Sequence, residues 1–125
     1  MSTPLDEMVI EQLSQFVERR YLARMRVIDD GPGRFLPVVL GTGAVTIGSR
    51  VFFRRGRYDP FSARGLALIA HESMHIQQYD ELGVPRFFAK YVIGILQSGL
   101  RHDNHPMERT LVRRQKEIRR ALLAG

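Results

Sequence analysis

The chain has 125 residues, 44% of them apolar and 26% charged, with a formal net charge of +6 and no cysteine. That length bounds one domain with one core, and the composition is that of an ordinary globular protein. The lack of cysteine excludes a disulfide framework and any thiolate zinc site, which leaves histidine and carboxylate as the metal ligands on offer.

Along the chain, Thr3-Pro4 opens an amphipathic helix expected to run to about Arg20, with Leu5, Val9, Leu13, Phe16 and Val17 on its apolar side. Residues 1–25 are punctuated by charge and carry no secretory signal, so the expected location is the cytoplasm. A strand is predicted over residues 24–28, where Met25 and Val27 alternate with arginines, and Asp29 to Gly33 is a turn cluster. An apolar run over 35–40, a Gly41-Thr42-Gly43 turn and a strand pair over 44–53 follow, with Gly48-Ser49 as a turn or bulge. Residues 54–58 read as a loop. Three helices are predicted after it: 60–82, begun by an Asp59-Pro60 cap and ended by Gly83; 85 to about 101; and 106–123. Gly41-Thr42-Gly43 with Gly48 lacks the helix and spacing of a nucleotide-binding loop. The apolar stretch 87–100 holds Lys90, Gln97 and Ser98 and is too short to span a bilayer.

The first of those three helices carries His71-Glu72-Ser73-Met74-His75, an H-E-x-x-H run within the uncharged stretch Leu-Ala-Leu-Ile-Ala before it. Histidines at i and i+4 share one helix face about 6 Å apart and can hold one metal ion, with Zn²⁺ the favoured choice. Leu66, Ile69, Ser73 and Ile76 form the opposite face. Glu72 is turned by roughly 100° from His71, so it misses the ion but can take a proton from bound water. The plain alternative is a pair of core histidines with Glu72 in an ion pair.

A catalytic zinc site usually has a third protein ligand. Glu81 occupies the metzincin position, but that pattern needs a glycine where Gln78 stands. On an unbroken helix Glu81 lies about 9 Å beyond His75 along the axis. Glu108 heads the last helix on the face of Leu111, Val112, Gln115, Ile118 and Leu122. It reads either as the third ligand or as a capping-box glutamate, with Asp103, Asn104 or His105 as the cap.

These segments together resemble a bacterial family of small zinc metallopeptidase domains akin to the gluzincin clan. The likeness rests on residues 24–28, 46–53, the run His71 to Tyr79, Leu82-Gly83, Phe87 to Tyr91, and His105-Pro106-Met107-Glu108. The last motif departs from the family's usual Pro-Phe-Glu by one apolar exchange at Met107. The resemblance implies Zn²⁺ held by His71, His75 and Glu108, with Glu72 as general base. It also implies an α+β, zincin-like fold: a short antiparallel sheet packed on the active-site helix, two further C-terminal helices and an N-terminal helix.

The expected function is therefore zinc-dependent hydrolysis of a peptide or protein substrate. Tyr79, Tyr91, His102, His105 and Arg109 are candidates to stabilise the oxyanion. A zinc-binding but non-hydrolytic scaffold or partner-binding domain is the alternative. Arg54, Arg55 and Arg57, and the basic face from Arg109 to Arg120, read as solvated surfaces; no aromatic residues interleave with the last helix's charges, so nucleic acid is not an expected partner. Nothing in the chain points to an oligomeric state.

Overall fold

A computed structural model describes residues 2–97 and 106–124. Its elements in chain order are β1 (Thr3–Pro4), α1 (Glu7–Leu13), α2 (Arg19–Arg24), β2 (Arg26–Ile28), a 3-10 turn (Pro32–Arg34), α3 (Phe35–Leu40), β3 (Ala44–Ile47), β4 (Arg50–Phe53), α4 (Ala63–Leu82), α5 (Val84–Gln97) and α6 (Pro106–Ala124). The fold class is α+β, as the sequence indicates, with helix predominating.

The N-terminal helix is shorter than its apolar pattern suggests. Thr3–Pro4 is an edge strand, where a proline costs no ladder bond, and helix begins only after Asp6, whose carboxylate accepts from Met8 N at 3.0 Å. The chain breaks again at Ser14, and Phe16 and Val17 fold back against the core. α2 then buries Tyr21 and Leu22, and the Tyr21 hydroxyl donates to Asp80 of α4 at 2.9 Å. A single helix to Arg20 could not satisfy both packings, so tertiary contacts override the local period.

The sheet order is β1-β2-β4-β3. β1 pairs antiparallel with β2, and β3 with β4, but β2 and β4 run parallel, in register Val27↔Val51. The sheet is thus mixed rather than antiparallel. The cause is the connection: the 3-10 turn and α3 provide the crossover that a parallel neighbour needs, and the β3–β4 hairpin then places its second strand beside β2. Gly48, with φ of 65°, makes the tight hairpin turn that only glycine adopts without strain.

Val27, Val51 and Phe53 lie in the core with Leu13, Leu22, Ile69 and Ile118. α4 is the central helix and packs against β3, α1, α2, α5 and α6. Its N-cap is Ser62, which accepts from Gly65 N at 3.0 Å, rather than Asp59. Asp59 instead accepts from Phe61 N at 3.0 Å, and its carbonyl oxygen presses on the first turn of α4. Gly65 is required there, because a Cβ would fall on that oxygen. Gly83, with φ of 80°, ends the helix. No described helix is long and apolar enough to cross a membrane.

Candidate metal centre

The buried face of α4 carries His71, Glu72 and His75, each no more than 6% exposed. The i,i+4 spacing sets the two imidazoles side by side, with ring centroids 5.1 Å apart. α6 crosses this face and delivers Glu108, which is only 1% exposed. Its Oε2 stands 3.2 Å from His71 Nε2, and its Oε1 contacts His75 Nε2. Donor atoms of His71, His75 and Glu108 lie within 4.8 Å of one another, close enough to hold a metal ion.

Of the two readings left open for Glu108, the structure places it with the histidines at the head of α6. The proposed caps Asp103, Asn104 and His105 lie outside the described residues. Glu81 belongs to the final turn of the unbroken α4 and is not part of the cluster.

The surrounding shell adds two residues that sequence reasoning missed. Gln78 sits one turn beyond His75, and its Oε1 accepts from His75 Nδ1 at 2.9 Å. That bond leaves Nε2, the nitrogen facing Glu108, as the candidate ligand atom. Thr46 of β3 donates its hydroxyl to Glu72 Oε2 at 3.2 Å and so pins the carboxylate under the sheet. The i+3 spacing from His75 could have revealed Gln78. Thr46 has no local signature, because its partner is 26 residues away.

Electrostatics follow from burial. Desolvation pushes Glu72 above the usual carboxylate range, against the opposing pull of His71 and His75. Burial alone would lower His75, but its contact with Glu108 wins and holds it at about 9 in the metal-free protein. His71 Nδ1 is buried with no hydrogen-bond partner among the described residues. A buried set of two imidazoles and a carboxylate, with a polar atom unsatisfied among the described residues, has the donor chemistry of a transition-metal site.

Glu72 and Glu108 stand between two cavities. The first, of about 210 Å³, is bounded by α3, β3 and α5, and His75, Tyr79 and Tyr91 also line it. The second, of about 500 Å³, is more polar and includes Arg57, Asp59, Arg64, His71 and Gln115.

Among the expected oxyanion partners, Tyr79 and Tyr91 line the first cavity, while Arg109 is exposed and lines neither. The Tyr79 hydroxyl donates to Thr46 O at 3.0 Å, so this side chain braces β3 against α4, and burial raises its pKa to about 12. Burial also raises Tyr91, with Glu108 and Glu72 close enough to add to the effect. His102 and His105 lie outside the described residues.

The basic residues do not form the core of this site. Arg114 donates to Phe16 O at 3.1 Å and pairs with Glu117, as expected of a helix surface that packs at its margin.

No curated protein and no solved structure matches the chain significantly. A family described as the eCIS core domain matches residues 4–83. The match takes in the sheet except Thr3, and all of α4, hence His71, Glu72, Gln78 and His75, and stops before Glu108. With well over half of its length matched, the chain belongs to the eCIS core domain family.

Proposed function

We propose that the protein is a zinc-dependent peptidase with a gluzincin-like ligand set, His71, His75 and Glu108, and with Glu72 as general base. The observation that carries this reading is Glu72 itself. A metal site that only holds structure needs its ligands and no more. Here a second buried acid, which is none of the three candidate ligands, lies beside them, raised in proton affinity and fixed by Thr46. Burying a carboxylate without a structural role is costly, whereas a general base next to a reacting water requires that placement.

Zinc bound by two imidazoles and a carboxylate supplies an acidified water and a Lewis acid for a carbonyl. The chain's own residues supply the rest. Glu72 accepts a proton from the attacking water and returns it to the leaving amine, and its raised proton affinity suits both steps. Thr46 keeps the carboxylate in one orientation, and Gln78 holds the His75 ring. Tyr91, which lines the same cavity as both acids, is the residue proposed to donate to the substrate's carbonyl oxygen. β3 is the outer strand of the sheet and runs beside the cavity, so an extended peptide can add to it by backbone pairing.

Membership of the eCIS core family, named for an extracellular contractile injection system, supports a role within a multi-protein complex.

The test is metal content and peptidase activity in wild type, Glu72→Gln and Glu108→Ala. Wild type should hold about one zinc per chain and cleave peptides, as one three-ligand site implies. Glu72→Gln should keep its zinc and lose cleavage; Glu108→Ala should lose both. Zinc retention with no cleavage in wild type would favour a non-hydrolytic scaffold or partner-binding domain. Full activity in Glu72→Gln would remove the general base.

A further inference from the structure

We propose that the cavity between α3, β3 and α5 is a side-chain pocket that selects a bulky apolar residue, leucine, phenylalanine or methionine, next to the cleaved bond. This rests on the peptidase reading and names its substrate class.

The position of the cavity is the first argument. Glu72, His75 and Glu108 belong to its lining, as do all four residues of β3. Successive residues of a peptide paired to an outer strand point to alternate faces, so one side chain in two is directed toward α4 and the cavity. The walls are the second argument. Leu36 and Leu40 come from α3, Val45 and Ile47 from β3, and Phe87 and Phe88 from α5. Away from the acids and His75, the polar groups on its lining are Thr46 and two tyrosines, and the hydroxyls of Thr46 and Tyr79 are already engaged. A charged side chain would find no partner among the apolar walls.

Size is the third. An apolar cavity of about 150 Å³ can hold benzene, so one of about 210 Å³ admits a leucine or phenylalanine side chain. The rim points the same way. Leu40, Ile47 and Phe88 are 45%, 38% and 42% exposed, and Val92 and Ile93 extend the apolar surface along α5. Exposed apolar groups grouped around the mouth of a cavity mark a binding surface rather than scattered surface residues. The second cavity, with Arg57, Asp59 and Arg64, contrasts in character, so the two sides of the site discriminate between substrate residues.

The test separates binding from cleavage. Zinc-loaded Glu72→Gln protein is titrated with two pools of short fluorescein-labelled peptides, followed by fluorescence anisotropy. The pools are alike except for a central Leu, Phe or Met in one and Asp, Asn or Ser in the other. The apolar pool should bind at least about tenfold more tightly, the ratio expected from burying one such side chain. Leu40→Lys and Phe88→Lys, both at exposed positions, should each erase most of that difference while zinc content is unchanged. In parallel, wild-type cleavage sites in a mixed peptide library are mapped by mass spectrometry and should show the same residues beside the cleaved bond. Equal binding of the two pools, or a preference untouched by both lysine variants, overturns the pocket. Selective binding without cleavage leaves the pocket standing and overturns hydrolysis. Cleavage without apolar selection does the reverse.

Discussion

Glu108 lies 37 residues beyond His71 in the chain, yet its Oε2 stands 3.2 Å from His71 Nε2. Its other oxygen meets His75, so one carboxylate closes the open side of the motif. This contact ties α6 to α4 at the point where the chemistry is proposed. A metal ion and the proton that Glu108 holds on His75 would therefore compete for the same buried groups.

Gln78 should govern metal affinity without touching the metal. It fixes the His75 ring through the 2.9 Å bond to Nδ1. Gln78→Ala removes that acceptor and should weaken zinc binding about 10–100-fold, the usual effect of losing such a partner. Gln78→Glu keeps an acceptor and should restore most of the affinity. Zinc competition against a chelator of known strength measures both variants. Wild-type affinity in Gln78→Ala would reduce the residue to a packing role.

Zinc uptake should release a proton and strengthen with pH. Burial works against a charged His75, but Glu108 overcomes it and holds the group at about 9, above its ordinary 6.5. Metal binding requires the neutral ring, so between neutrality and about pH 9 each zinc displaces that proton. Apparent affinity should climb about tenfold per pH unit in that window and then flatten, as expected for one released proton. For the metal-free protein the sign is opposite. The His75–Glu108 pair stabilises the fold fully below pH 6.5, and its contribution is lost as pH rises through about 9. Calorimetric titration in two buffers of different ionisation enthalpy counts the protons; a count of zero at pH 7.5 would contradict the assignment.

Gly65→Ala distinguishes packing from helix propensity. In an isolated helix the exchange would stabilise by about 1 kcal/mol. Here the new methyl group meets the backbone oxygen of Asp59, which cannot rotate away. Overpacking typically costs about 1–3 kcal/mol, so the net effect should be a melting point lowered by a few degrees. Differential scanning calorimetry decides the sign. A raised melting point would mean that the 59–62 turn relaxes without cost.

Much of the site could be read without the fold because its essential spacing is local. His71 and His75 share a helix face at any position in any fold, and the uncharged residues around them announce that the face is buried. The same holds for the Gly83 end of α4, for the Gly48 turn and for α6, all set by neighbours within a few residues, whereas the start of α4 falls at Ser62 and not at Asp59-Pro60. Glu108 was legible as an inward-pointing acid and as the better candidate for a third ligand, with a helix cap as the alternative reading of the same residue. Only the crossing of α6 over α4 brings it to the histidines, since nothing within one turn of Glu108 encodes that approach. Tertiary packing likewise broke the N-terminal helix, made the β2–β4 pair parallel and set Thr46 beneath Glu72. Periodicity and caps act over about four residues, which is why composition and pattern could determine the elements and the motif. Strand order, the approach of Glu108 to the two histidines and the shape of the cavity depend on which distant faces bury each other, and that was decided when the core closed around α4.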